Sequence, residues 1–391
     1  MPRRYDIVLF GATGFAGRLT AEYLARSAPP TCRLALAGRN PEKLARVRAA
    51  LGPAHAELPL LHADVTDAVS LRAVAESARV VITTVGPYIL YGDALVAACA
   101  AAGTDYLDLT GEPEFVDACY VRHHETAVAS GARLVHAAGF DSIPHDLGAL
   151  FTVLHLPAGV PVRMAGYVRA SASISGGTFA SALTAFSRPR QNLAAARAQR
   201  AAEPAGDGRI VHAGPGRPGR DPVDGGWALP FPSLDPQIVG RSARALERYG
   251  PDFCYTHHLV VPRLTTAVGA PLGLAVVAVA AQLPPARRVM ESRLRPGDGP
   301  SAAKRAASWF TVTFVADGGG QRVVTRVSGG DPGYDETARM LGESALCLAF
   351  DELPATAGQV TTAQAMGERL IDRLRAGGMG FEVLDGPPPA R

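Results

Sequence analysis

The sequence has few of the residues that mark several common protein classes. Only 19% of its 391 residues are charged and the net charge is +3, so it lacks the dense basic surface of a nucleic-acid-binding protein. Its five cysteines are scattered and form no C-x-x-C pair, which favours reduced thiols over a disulfide framework or a zinc site. It contains no G-x-S-x-G serine elbow and no Walker motif.

The histidines and the N-terminus argue against further classes. His123-His124 and His257-His258 are adjacent pairs, which cannot share one helix face as metal ligands at positions i and i+4 do. We therefore predict surface positions for both pairs and no metal site.

The first residues lead directly into an apolar run and leave no room for a signal peptide. We expect a cytoplasmic protein, with association at a membrane surface as an alternative.

A glycine-rich segment near the N-terminus, residues 11–17 (GATGFAG), organises the first half of the chain. It follows an apolar run and precedes a segment with helical spacing, which predicts a strand, a turn and a helix. Gly11 permits the sharp turn, Gly14 the approach of a pyrophosphate, and Gly17 close packing of the helix. Because a helix N-terminus favours phosphate, the pattern predicts a nucleotide-binding unit.

The second predicted strand ends at Arg39 and Asn40, where nucleotide folds place the residue that contacts the adenosine ribose. An NAD enzyme would have an acidic residue here. Arg39 offers a guanidinium that suits the 2′-phosphate of NADPH, or it is a solvated arginine at a strand end. Asp64, after the third strand, could either bind the adenine amino group or begin the next helix.

Strands and helices alternate as far as residue 138, which predicts a parallel α/β sheet. Polar loops follow the fourth strand at residues 84–91 and the sixth strand at residues 138–148. Because ligands bind at the carboxyl ends of such strands, we expect both loops in the active site. The predicted cofactor-binding residues are Gly11, Thr13, Gly14, Phe15, Gly17, Arg39, Asn40, Asp64, Val85, Gly86 and Pro87.

A set of short motifs makes the chain similar to a known family. The first half contains GATGFAG (11–17), AGRN (37–40), VGPY (85–88), DLTGE (108–112) and GFDSIP (139–144). In this order they resemble the saccharopine dehydrogenase-like NADP oxidoreductases. The later motifs DPGY (331–334), LGESALCLA (341–349) and GGMGF (377–381) are similar to the branch of trans-acting enoyl reductases, which act in actinobacterial polyketide-lipid pathways.

The resemblance implies an NADPH cofactor and three parts of the chain. A Rossmann-type domain, a doubly wound parallel sheet, would cover residues 1–148. A second α+β domain built on an antiparallel sheet would bind the substrate and cover residues 149–330. The segment 331–391 would be helical and pack back on the Rossmann domain. In the second part, alternation predicts a strand at 162–173 and a hairpin around residues 317–320, and the Pro/Gly/Arg-rich stretch 203–226 predicts a mobile loop or lid.

The preferred reaction is reduction of an activated carbon–carbon double bond in a polyketide or lipid-like substrate. Such a reaction leaves an enolate, which needs a hydrogen-bond donor and a proton at the α-carbon. We predict that Tyr88 serves either role, that Ser142 or His145 polarises the carbonyl, and that Asp141 holds its loop in shape. The alternatives are saccharopine-type reduction of an imine or oxidation of a secondary amine, and a non-catalytic NADP-binding, lipid-associated protein. A homodimer is a further prediction.

The uncharged run at residues 264–286 generates the first testable prediction. It approaches the roughly 20 residues that cross a bilayer, but glycines and prolines interrupt it, so it is either a buried helix or a helix that accepts an acyl chain. In the second case each buried methylene favours binding by about 0.8 kcal/mol. Val276→Asp should then raise KM for a long-chain substrate and leave NADPH binding unchanged. Equal KM values for long and short chains in the native protein would contradict this hypothesis.

Overall fold

Seven parallel strands form the first sheet of the computed structural model, which describes residues 3–171, 187–204, 208–266 and 299–385. These strands are β1 Tyr5–Phe10, β2 Leu34–Gly38, β3 Leu60–His62, β4 Ala78–Thr83, β5 Asp105–Leu107, β6 Arg133–Val135 and β14 Gly358–Val360. Their order in space is β14-β6-β5-β4-β1-β2-β3. From β1 the chain first adds strands on one side, β2 and β3, and then crosses to the other side with β4, so the strand order reverses between β1 and β4. That switch point is where open α/β sheets bind ligands. The predicted Rossmann-type sheet is confirmed.

Alternate residues of β1 enter two different hydrophobic cores. Ile7 and Leu9 belong to one core, and Val8 and Phe10 belong to the other. A strand that is buried on both faces reads as a continuous apolar run, which is what residues 5–10 show.

The helices are α1 Phe15–Ser27, α2 Pro41–Ala50, α3 Ala68–Ser77, α4 Tyr88–Tyr91, α5 Asp93–Ala102, α6 Pro113–Ser130, α7 Ile143–Val153, α8 Pro189–Ala202, α9 Asp235–Ala245, α10 Ala302–Ala306, α11 Asp335–Phe350, α12 Thr362–Ala365 and α13 Gly367–Ala376.

The second sheet is mixed, where the sequence predicted an antiparallel one. Its strands are β7 Val162–Ser171, β8 Ile210–Pro215, β9 Gly219–Arg220, β10 Trp227–Pro230, β11 Asp252–Val261, β12 Trp309–Gly318, β13 Gln321–Gly329 and β15 Gly380–Asp385. The strand β11 pairs in parallel with both β7 and β8, whereas β12 pairs antiparallel with β7 and β13. The predicted hairpin is confirmed: Gly319 and Gly320, with φ of +58° and +75°, form its turn.

The stretch predicted as a mobile loop contains two strands of this sheet. Most of β8 is exposed or half-buried, and it is held by backbone pairing along the edge of β11. An edge strand of this kind needs few apolar side chains, so the composition of residues 203–226 gave no strand signal. Nearly all of the uncharged run 264–286 lies outside the described residues.

The surface prediction for His257 and His258 is wrong, because both lie in β11 and are buried. Phe253, Tyr255 and His257 share one face of this strand and are at most 1% exposed. Alternation along the strand therefore carries His257 into the same core layer as two aromatic residues.

Residues after 330 contribute to both sheets. The strand β14 pairs with β6 at the edge of the first sheet, and β15 pairs with β13 at the edge of the second. Between them, α11 packs against α1 and the strands β1 and β4. The domain boundaries at residues 148 and 330 remain predictions.

Within the described ranges, no helix has both the length and the apolar character to cross a membrane.

A buried carboxylate ties three helices together. Asp146, in α7, accepts hydrogen bonds from the Ser242 hydroxyl of α9 and from the Thr362 hydroxyl and the Ala363 N–H of α12, at 2.5 to 2.8 Å. Asp146 is fully buried, so the Thr362 hydroxyl and the Ala363 N–H depend on it for a partner, whereas the Ser242 hydroxyl also lies 2.6 Å from the Thr361 hydroxyl. This carboxylate connects the C-terminal segment to the helix that follows the first sheet.

Replacing this carboxylate should destabilise the fold. Asp146→Ala leaves several buried donors without an acceptor, at a cost of about 1–3 kcal/mol each. We expect the free energy of unfolding to fall by at least about 3 kcal/mol in urea titrations. Asp372→Ala, which alters an exposed carboxylate on α13, is the control and should change it by less than about 0.5 kcal/mol. Equal stability of the two variants would contradict the structural role of Asp146.

Candidate active site

The glycine loop leaves room for a dinucleotide at the start of α1. Gly11 has φ of +90°, and a Cβ atom on Gly17 would lie 2.2 Å from the carbonyl oxygen of Gly11, so helix and loop meet as closely as backbones can. No side chain caps α1 at Gly14, which leaves N–H groups of its first turn for a phosphate. Thr13 is half-buried at the same turn. These features fit the pyrophosphate of NADPH.

Phe15, at the first position of α1, is held by the C-terminal half of the chain. Its ring meets that of Tyr334 edge-on, with centroids 4.9 Å apart. The guanidinium groups of Arg18 and Arg305 lie over the same ring at 5.8 and 5.5 Å. The chain after residue 298 therefore closes one side of the nucleotide loop.

The residues predicted to bind the adenosine end lie together after β2 and β3. Arg39 is exposed at the end of β2, as binding of a 2′-phosphate requires. Asn40 caps α2 by accepting a hydrogen bond from the Lys43 N–H at 2.8 Å. Asp64 accepts hydrogen bonds from the Thr66 N–H and hydroxyl, and these bonds, with a smaller contribution from Arg39, lower the pKa of its carboxyl. The cap of α3 is Asp67, so Asp64 does not begin that helix.

The loop after β4 touches the glycine loop at the switch point. The Thr84 hydroxyl donates to the carbonyl oxygen of Gly11 at 3.1 Å. A Cβ atom on Gly11 would lie 2.7 Å from the Val85 side chain. Gly86 is exposed and Pro87 is half-buried beside them. The predicted cofactor residues of β1 and β4 thus lie at one edge of the sheet.

The geometry does not favour Tyr88 as proton donor or as donor to an enolate. Its side chain is 5% exposed and belongs to a hydrophobic core. Its hydroxyl donates to the carbonyl oxygen of Thr83 and accepts from the Leu109 N–H, both at 3.2 Å. Burial raises the pKa of Tyr88 well above its usual value. A hydroxyl that is occupied on both sides and faces the interior acts as a link between β4 and β5.

Two buried acids connect the loops that follow β4, β5 and β6. Glu112 accepts hydrogen bonds from the backbone N–H groups of Tyr88 and Ile89 at 3.0 and 2.8 Å. Asp108 accepts from His136 Nδ1 at 2.6 Å and from the Ala137 N–H at 2.9 Å. Sequence reasoning used these acids only as parts of a motif, although their place after β5 marked them as candidates.

The loop after β6 presents Asp141 at the same edge. Its shape is held by backbone bonds from the N–H groups of Ser142 and Ile143 to the Gly139 carbonyl, and the Phe140 N–H donates to Thr337. Asp141 itself is exposed, and a Cβ atom on Gly111 would lie 3.0 Å from its Oδ2. Among the described residues none donates a hydrogen bond to its carboxylate, so the prediction that Asp141 holds its loop in shape is not supported.

Asp141 is reached by solvent, yet protein atoms around its carboxyl desolvate that group. This desolvation, helped by the negative charge of Asp235, raises the pKa of its carboxyl to about 7. An ordinary aspartate has a pKa near 4. Strongly shifted carboxyls in clefts are typical of functional sites.

Ser142 and His145 lie directly behind this loop and are fully buried. His145 Nδ1 is 3.3 Å from Asp235 Oδ1, and the ring of His257 lies 5.0 Å from that of His145. Burial lowers the pKa of His145 to about 4, so its imidazole is neutral. Sequence reasoning missed Asp235 and His257, because only the packing of α9 and β11 against α7 brings them to this place.

Comparisons with known proteins agree with this geometry. The model of the saccharopine dehydrogenase NADP-binding domain matches residues 7–136. A protein of Mycobacterium tuberculosis, named as a candidate trans-acting enoyl reductase, is 40% identical over 98% of both chains. The trans-acting enoyl reductase of Mycobacterium leprae is 38% identical over 96% of this chain and 97% of its own. The chain belongs to the trans-acting enoyl reductase family.

The solved structures confirm the fold. The L-glutamate-forming saccharopine dehydrogenase of Saccharomyces cerevisiae superposes with a TM-score of 0.59 at 12% identity, over 97% of this chain and 100% of its own. In this family the first sheet is an NADP-binding domain, and the predicted NADPH cofactor is confirmed.

The position of Arg39 generates a prediction about cofactor choice. A charge-assisted contact with the 2′-phosphate should make NADPH bind more tightly than NADH by about 1–3 kcal/mol. Arg39→Asp should remove or reverse this preference in fluorescence titrations with both cofactors. Arg26→Asp, which alters an exposed arginine at the far end of α1, should preserve it. Equal affinities of the native protein for NADPH and NADH would show that Arg39 does not contact the phosphate.

Proposed function

We propose that this protein uses NADPH to reduce an activated carbon–carbon double bond in a polyketide or lipid-like substrate. The observation that carries the proposal is the exposed Asp141 carboxyl, which lies at the carboxyl edge of an NADP-binding sheet. The names of the relatives support it, since proteins 37–38% identical over nearly the whole chain are called trans-acting enoyl reductases. The same name favours a separate synthase as the partner that supplies the substrate.

The reaction adds a hydride and a proton across the double bond. Bound NADPH supplies the hydride, which goes to the β-carbon. The chain must then deliver a proton to the α-carbon, and we assign this step to Asp141. With its pKa raised to about 7, a substantial fraction of this carboxyl carries a proton at neutral pH. Because it is open to solvent, it can be reprotonated after each turnover.

The developing negative charge on the substrate carbonyl needs a hydrogen-bond donor. The Ser142 hydroxyl and both ring nitrogens of His145 lack hydrogen-bond partners among the described residues, but His145 Nδ1 lies 3.3 Å from the Asp235 carboxylate, which competes for its proton. We therefore favour Ser142 for this role, although it is buried behind the Asp141 loop. A local movement of this loop would expose it to the substrate. Homodimer formation and membrane contact remain predictions.

The assignment of Asp141 predicts a particular pH dependence. Because the protonated carboxyl acts, kcat/KM for an enoyl thioester should fall about tenfold per pH unit above pH 7. Asp141→Asn should lower turnover at pH 6 by about 100-fold or more and abolish this dependence, with unchanged affinity for NADPH. Absorbance of NADPH measures the rate directly.

A matched control separates loss of the proton donor from a general loss of structure. Asp385→Asn removes an exposed carboxylate on β15 and should keep both the rate and the pH profile. An Asp141→Asn variant with the native rate would refute the assignment. If the native protein reduces no enoyl thioester but still binds NADPH, the proposed reaction itself fails.

A further inference from the structure

A buried group of three side chains lies behind the Asp141 loop, and we call it the His–Asp–His cluster: His145, Asp235 and His257. His145 belongs to the first turn of α7, Asp235 is the first residue of α9, and His257 lies in β11. All three are at most 3% exposed. The cluster therefore joins three separate elements at a place where burial of a charge is costly unless it is paired.

The three side chains converge on a common point. His145 Nδ1 lies 3.3 Å from Asp235 Oδ1, and His257 Nε2 lies 3.2 Å from Asp235 Oδ2. Both separations are those of ion pairs, and among the described residues neither nitrogen has a hydrogen-bond partner of good geometry. Asp235 Oδ1 likewise has none within those residues. Nitrogens and oxygens that face one another without forming bonds are arranged as metal ligands are.

The separations fit a small divalent ion. Ligands 2.0–2.2 Å from a tetrahedral Zn²⁺ lie about 3.3–3.5 Å apart, close to the two separations between nitrogen and oxygen. All three donor atoms lie within 4.8 Å of one another. In a tetrahedral site every pair of ligand atoms lies about 3.3–3.5 Å apart, so a pair at the 4.8 Å limit must close by about 1.3 Å, which shifts of less than about 1 Å in each of the two side chains achieve.

The neighbours of the cluster orient its ligands. The other ring nitrogen of His257, Nδ1, is 2.8 Å from the Tyr255 hydroxyl, and the Ser233 hydroxyl donates to Asp235 Oδ2 at 2.5 Å. Phe140 and Phe231 pack against the two imidazoles and enclose the site. Metal sites typically have neighbouring residues that form hydrogen bonds with the ligands, and a hydrophobic shell around the ligands.

We propose that His145, Asp235 and His257 bind one divalent transition-metal ion, of which Zn²⁺ suits two imidazoles and a carboxylate best. The ion would join α7, α9 and β11 and so fix the base of the Asp141 loop. The sequence predicted no metal site, because these residues are far apart in the chain. The proposal goes beyond the proposed function and its test does not rest on it, but an ion bound to Asp235 would offset the negative charge that helps to raise the pKa of Asp141.

The test uses the whole protein after treatment with a chelator. Titration with Co²⁺ should give one equivalent of bound ion with the visible absorption bands of tetrahedral coordination, and Zn²⁺ should displace it. Zn²⁺ should also raise Tm. X-ray absorption of the Zn²⁺-loaded native protein should show two imidazole ligands and oxygen, without sulfur. Absence of stoichiometric binding, or a sulfur ligand, would overturn the proposal.

Variants identify the ligands. His257→Gln and Asp235→Asn should each weaken Co²⁺ binding at least 100-fold. His258→Gln is the matched control, because His258 is the adjacent buried histidine of β11 but stacks on Tyr167 outside the cluster. It should bind Co²⁺ as the native protein does. Unchanged affinity in both ligand variants would place the ion elsewhere and overturn the proposal; if either variant fails to fold, the absorption spectrum of the native protein decides.

Discussion

The arrangement of the site depends on the fully buried carboxylate of Asp108. It ends β5 and accepts hydrogen bonds from the Thr110 N–H in its own loop and from His136 and the Ala137 N–H beyond β6. Ala137 has φ of +56°, a conformation that costs a non-glycine residue of order 1 kcal/mol or more. The bond to Asp108 holds the chain in this turn, and the turn directs the Asp141 loop toward Gly111 and the cofactor edge.

Acidic residues at this edge have two different uses. Asp108, Glu112 and Asp146 are buried and each accepts several hydrogen bonds, so they connect separate loops and helices. Asp141 differs because it is open to solvent and accepts no hydrogen bond from the described residues. The same side chain is structural where donors surround it, and available for chemistry where they do not.

The C-terminal segment makes the two sheets interdependent. It adds β14 to the first sheet and β15 to the second, and α11 between them packs on α1, the helix that follows the glycine loop. Gly342 of α11 lies against Tyr23 so closely that a Cβ atom there would be 2.5 Å from its ring. The nucleotide helix is thus positioned by residues more than 300 positions later in the chain.

The parallel sheet, the glycine loop and the family could all be predicted from the sequence. These depend on local patterns: an apolar strand, three glycines at fixed spacing, and a helix whose N-terminus needs no tertiary partner to favour phosphate. The position of Arg39 at the end of β2, and so its candidacy as a contact for the 2′-phosphate, could be predicted in the same way, because its distance along the chain from the glycine loop sets its place in the fold.

Which side chains are free to act depends on how distant segments pack together. Tyr88 lies after β4, where the sequence predicts the active site, yet its hydroxyl is already hydrogen-bonded to backbone groups at the ends of β4 and β5. Asp235 and His257 carried no local signal and meet His145 only when α9 and β11 pack on α7. The pKa of Asp141 depends on desolvation by the protein atoms around it and on the charge of Asp235, which is distant in the chain. Local pattern specifies backbone conformation, whereas burial and hydrogen-bond occupancy are properties of contacts between distant segments, and these decide reactivity.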